Sequence, residues 1–211
     1  MFPLPLLSSV PDNLEKMKAR RALLYQNTFM KNALIRALNV VYDVAPKIKA
    51  SHPAFRQFMD YVDIVCDMIS LHVRGDEVFF KSISQQCAAF RLTTNNNAAV
   101  LQNHMSSLQH QIDDWKKKVA RFTEEALPQS ISDDRLNELI KENIIWLGTN
   151  GNVSVLLPFC VSHHDPKTSK HWPPVTHDAL QAIPGLLEAH PQLWKFAPFD
   201  AITRSSKTIL L

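Results

Sequence analysis

Between about Asp12 and Ala45 apolar residues recur at three- and four-residue steps without a glycine, and Pro11 and Pro46 bracket the stretch; this predicts helix throughout. The inward stripe of its second half reads Lys31, Leu34, Leu38, Val41, Ala45, so a lysine heads an otherwise aliphatic seam. A second helix is expected from an N-cap at Ser51, two residues before Pro53, with the stripe Phe58, Val62, Val65, Ile69, His72, Asp76, Phe79. After the polar stretch Thr93 to Asn97, a third stripe runs Leu101, His104, Leu108, Ile112, Trp115, Val119, Phe122. A fourth helix starts at Ser132 and carries Leu136, Leu139, Ile140, Ile144 and Leu147. Gly148 to Asn152 weaken it, and Val153 to Phe159 resume it. No strand pattern competes, and the expected fold is all-α, an antiparallel four-helix bundle over residues 1–161. Residues 162–211 are read as an irregular Pro/Trp/His-rich C-terminal extension, with a short helix around Asp178 to Ala182, strapped across the bundle.

Composition narrows the function classes. The 211 residues, 45% hydrophobic and 20% charged, suffice for a core without staples. Thirteen Pro against four Gly leave no material for a P-loop or a GxGxxG turn. The net charge of +3 is dispersed, and Lys116, Lys117 and Lys118 read as a solvated helix face, so no nucleic-acid partner is expected. Cys66, Cys87 and Cys160 form no CxxC pair and read as reduced thiols of a cytoplasmic protein, and Cys66 and Cys87 have no nucleophilic context. The apolar start Met1 to Leu7 carries two prolines and no basic flank, which fits neither a signal peptide nor a membrane span.

The candidate chemistry lies where polar groups fall on apolar stripes. Lys31, His72, Asp76 and His104, from three helices, are expected to converge inside the bundle, where unpaired charge is expensive. Three arrangements satisfy them. Lys31 can pair with Asp76 in a metal-free pocket, His72, Asp76 and His104 can form a mononuclear metal site, or the groups can constitute a buried polar network without chemistry. His163, His164 and Asp165 are read as anchoring a loop rather than ligating, because adjacent histidines project in different directions. Trp115 and Trp146 are read as core.

The runs Asn32-Ala-Leu-Ile-Arg-Ala-Leu-Asn39, His72-Val-Arg-Gly-Asp-Glu-Val-Phe-Phe80 and Leu157-Pro-Phe-Cys-Val-Ser-His-His-Asp-Pro166, with Trp172-Pro-Pro174 and Trp194-Lys-Phe-Ala-Pro-Phe-Asp200, resemble fungal hemerythrin-like (HHE-type) proteins. The resemblance spans nearly the whole chain and implies a four-helix bundle that, in complete members, holds two irons. It retains His72 and His104 among the ligands, shortens the bridging glutamate to Asp76, and puts Lys31 and Leu108 where histidines would stand. Gly148 and Asn152 fall at the last two ligand positions. With that set, a diiron centre that carries oxygen is not expected.

The leading expectation is therefore a cofactor-free biosynthetic enzyme that cyclises or isomerises an apolar small-molecule substrate, with a cycloaddition as its sharpest form. Lys31, His72, Asp76 and His104 are its catalytic candidates, and Phe58, Ile69, Leu108, Trp115 and Asn152 its substrate contacts. The alternatives are an iron-binding oxygen or redox protein using His72, Asp76 and His104, and a non-catalytic interaction scaffold. Oligomeric state is open.

Overall fold

A computed structural model describes residues 2–75, 132–168 and 176–209. Asp76, Phe79, Cys87, the stripe from Leu101 through His104, Leu108 and Trp115 to Phe122, the run Lys116 to Lys118, and Trp172 lie outside the described residues. Among the described residues there are five α-helices: α1 Ala19–Val44, α2 Phe55–Gly75, α3 Asp133–Asn150, α4 Val153–Ser162 and α5 His177–Ala189. The described residues contain no strand, only an isolated bridge between Phe199 and Ser206.

Helix α1 is central and packs against α2, α3 and α4. The stripe read from its sequence is inward: Lys31, Leu34, Leu38, Val41 and Ala45 are all buried. So are Phe58, Val62, Val65, Ile69 and His72 on α2. These two stripes supply much of one apolar cluster that also takes in Phe159 from α4 and Leu193, Trp194 and Phe196 from the C-terminal region.

The helix expected from Asp12 is not continuous. A single 3-10 turn, Leu14–Lys16, precedes α1, and Met17 and Lys18 between them are extended. Packing explains the break, because Val10 and Leu14 share a small cluster with Ala22 and Phe29. In an unbroken helix Leu14 would stand about 12 Å along the axis from Ala22. The chain must turn back for the two to meet.

The first residues are not a loose end. Asn39 receives the Leu4 N–H on Oδ1 at 2.7 Å and donates from Nδ2 to the Leu4 carbonyl at 3.0 Å. Asn32 treats Leu7 the same way, at 2.7 and 3.3 Å. The register is geometric. Seven helical residues rise about 10.5 Å, and three extended residues span about 10 Å, so two amides two turns apart match every third residue of an extended chain. Phe2 and Leu4 are thereby carried into the main core. Replacing Asn39 with Ala orphans both Leu4 backbone groups and is expected to cost about 1–3 kcal/mol. Limited proteolysis should then cut the first ten residues faster than in the parent; unchanged cleavage would contradict this anchoring.

Helix α2 begins at Phe55, later than a Ser51 cap implies, and the turn before it is held by His52, whose Nδ1 accepts from the Ala54 N–H at 3.1 Å. The fourth sequence helix is split into α3 and α4 around Gly151 and Asn152. A Cβ on Gly151 would lie 2.7 Å from Leu71 Cδ2 and 2.8 Å from the Leu147 carbonyl oxygen, so the junction can press onto α2 only as glycine. On α3, Leu147 of the sequence stripe and Trp146, read as core, both pack against the core, whereas Ile144 is 47% exposed. The side chains of Leu136, Leu139 and Ile140 lie outside the described residues. Trp146 is drawn in by Gly75, where an added Cβ would be 3.4 Å from its ring.

The C-terminal region holds more regular structure than a short helix at 178–182. Helix α5 runs thirteen residues, capped by the Thr176 side chain and continuing through Pro184. Proline removes one N–H there, and the carbonyl it leaves belongs to Leu180, which is 49% exposed and close to water.

Candidate functional site

Two polar side chains of the sequence constellation are placed by the described residues. Lys31, at 1% exposure, and His72, at 5%, lie on the apolar stripes of the neighbouring helices α1 and α2. Met30, Leu34 and Leu38 flank Lys31 along α1, while Ile69 precedes His72 by one turn of α2. Asp76 and His104, the other proposed members, lie outside the described residues.

The proposed substrate contacts divide. Phe58 and Ile69 are buried in the main core, and the Phe58 ring meets Phe196 edge-on at 5.5 Å, so it is a packed core residue. Leu108 and Trp115 lie outside the described residues. Asn152 is corrected: it is exposed and caps α4, its Oδ1 accepting from the Ser154 N–H at 3.1 Å and the Ser154 hydroxyl at 2.6 Å. The break at Gly151 turns it to the surface. Gly148 is exposed as well, with open space where a side chain would project.

A second buried polar group forms where α4 ends. His163 is fully buried, with Nδ1 at 2.9 Å from the Phe159 carbonyl and Nε2 at 2.7 Å from the Tyr61 hydroxyl. A carbonyl only accepts, so Nδ1 carries the proton and Nε2 receives the Tyr61 O–H. Burial pushes the imidazole down to about 3, and Arg36 and Lys207 push the same way against the Phe159 carbonyl. Burial likewise raises the Tyr61 phenol well above its ordinary value. His164 Nδ1 accepts from Arg204 Nη2 at 2.6 Å. Its value falls to about 4 through burial, then Arg204 and Arg36, with Asp165 opposing. Arg36 ties this turn to α1 by donating to the His163 carbonyl and to Thr168 Oγ1, each at 3.2 Å.

Each histidine is thus occupied by a structural hydrogen bond, which fits the anchoring role read for the pair. Sequence patterning did not single out Tyr61 or Arg204 as their partners. Arg36 had one signal: an arginine five residues beyond Lys31, inside an almost wholly apolar stretch.

Among the described residues no group of three or more His, Cys, Asp or Glu side chains could hold a metal ion. Cys66 and Cys160 are buried and form no disulfide among the described residues, and burial pushes the Cys160 thiol up to about 12, which removes its thiolate at neutral pH. No helix among the described residues is long and apolar enough to cross a membrane. No family model, curated protein or solved structure matches the chain.

Proposed function

We propose that α1, α2 and the α3–α4 pair belong to an antiparallel four-helix bundle, and that the chain is a metal-independent enzyme which cyclises or isomerises an apolar small molecule. The observation that carries this reading is Lys31, an amine-bearing side chain at 1% exposure on an aliphatic seam, with His72 buried on the adjacent helix. Desolvating such groups is costly, and sites where they are kept together are candidates for chemistry.

The donor set favours this over a hemerythrin-type diiron centre. An ammonium does not ligate, and Gly148 and Asn152 stand exposed at the positions where the fourth helix would supply its last ligands. In the proposed reaction Lys31 Nζ donates a hydrogen bond to a substrate carbonyl, making the attached unsaturated system more electrophilic. His72 accepts and returns a proton where an isomerisation requires one. Apolar walls hold the flexible chain in a reactive fold, and a cycloaddition needs no net proton or electron from the protein.

Comparison of small-molecule extracts from host cells carrying the gene, lacking it, or carrying Lys31→Met tests the reading. The deletion and Lys31→Met are expected to accumulate the same apolar precursor, an isomer of the missing product, while Lys31→Met stays folded by circular dichroism. Full restoration of the product by Lys31→Met would overturn the proposal.

A further inference from the structure

A cleft separate from Lys31 and His72 lies between the end of α5 and the C-terminal turn, with a volume of about 270 Å³. This is near the small end of metabolite sites, about 300–1,000 Å³. Its apolar wall is made by Pro184, Leu187, Pro191, Trp194 and Phe199. Three charged residues, Glu188, Asp200 and Lys207, also line it.

The charges are set out unequally. Lys207 Nζ uses one proton on the Trp194 carbonyl at 2.7 Å, which fixes the ammonium at the cleft and leaves two donors for a ligand. Partial burial lowers its pKa, and Asp200 opposes that. Asp200 spends Oδ1 on its own turn, accepting from the Ile202 N–H at 3.0 Å and the Thr203 N–H at 2.7 Å. This locks its position while Oδ2 keeps accepting capacity. Glu188 is exposed on α5. Trp194 is 6% exposed, and its indole Nε1 is a buried donor with no hydrogen-bond partner among the described residues.

A simple anion would meet two carboxylates here, and a simple cation would meet the ammonium. We propose that this cleft binds a zwitterionic α-amino acid with an apolar side chain, its carboxylate on Lys207, its ammonium toward Asp200 and Glu188, and its side chain against Trp194, Phe199 and the two prolines. An aromatic side chain suits the wall best, because rings stack on prolines and aromatic faces.

Isothermal titration calorimetry of the full chain with L-phenylalanine, 3-phenylpropionate and phenethylamine tests this directly. L-Phenylalanine is expected to bind saturably and at least about tenfold more tightly than either singly charged analogue, a difference of about 1.4 kcal/mol. Lys207→Met is expected to weaken it by about tenfold, as loss of a charge-assisted contact does. Glu188→Gln, at an exposed helix position that leaves folding intact, should weaken it several-fold. Absence of saturable heat, equal binding of an analogue, or undiminished binding in Glu188→Gln would overturn the proposal.

Discussion

Acidification from pH 6.5 to 4 is expected to destabilise the protein by about 3 kcal/mol through His163 alone, with His164 adding to the loss. The sign follows from which state binds protons. In the unfolded chain each imidazole protonates near its ordinary value of 6.5; in the folded chain burial holds His163 down to about 3 and His164 to about 4. Between those values the unfolded state carries the extra protons, so stability present above pH 6.5 is lost as pH falls. Each such histidine contributes a slope of about 1.4 kcal/mol per pH unit. Protonation of His163 would also reverse the Tyr61 bond, because a charged imidazole has no lone pair left for the phenol and can only donate to its oxygen. Asp200, held below the usual carboxylate range chiefly by the Thr203 N–H, loses its contribution only as pH falls below 3.8, so it does not blur the histidine window. Urea midpoints measured at half-unit steps from pH 7.5 to 4 should fall steeply below about 6.5. His163→Gln should start less stable and show a flatter profile, whereas parallel profiles would contradict the assignment.

Replacing Phe58 with Ala is expected to cost about 3–5 kcal/mol, which lowers Tm by roughly 10 °C for a chain of this size. The ring is 1% exposed and meets Phe196 edge-on, so truncation leaves a cavity between α2 and the 3-10 turn Leu193–Phe196. Because that turn also carries Leu193 and Trp194 into the same core, the loss should loosen the C-terminal region along with α2. Phe58→Leu should cost far less, about 1.5 kcal/mol, since most of the volume is retained. Thermal melts of both variants check the ordering. A fall of only one or two degrees for Phe58→Ala would mean that the ring borders open space, as a substrate contact would, instead of packed core.

The inward faces of α1 and α2 were legible because their stripes are long, regular and free of glycine. Each residue placed inward from Lys31 to Ala45 and from Phe58 to His72 is buried. Three departures come from interactions between residues far apart in sequence or outside helical periodicity. The break at Met17 and Lys18 answers to Val10 and Leu14 reaching Ala22, which no local pattern encodes. On α3, the close approach of Trp146 to Gly75 accompanies an exposed Ile144 that helical spacing had placed inward. Helix α5 outruns its sequence signal because Pro184, ordinarily a breaker, sits where the freed Leu180 carbonyl is near solvent.

The candidate site was legible only in part. Lys31 and His72 announced themselves as polar residues on apolar seams, but Asn152 was placed at the site by the family resemblance, across a stretch whose glycines already weakened the fourth helix. The paired amides of Asn32 and Asn39 carried a readable signal, seven residues apart on one helix face, whose meaning appears only when the extended chain beside them is in place. The cleft at Lys207 had none, since its walls come from a helix end and a turn that periodicity does not join.

The central claim is that a buried lysine, not a metal, occupies the polar heart of the bundle. Iron, manganese and zinc per chain, measured by elemental analysis on untagged protein expressed in iron-rich medium, test it most directly. The account predicts metal far below one equivalent, unchanged in Lys31→Met. One tightly held iron per chain, lost when His72 is replaced by Ala, would contradict it and make His72 a ligand.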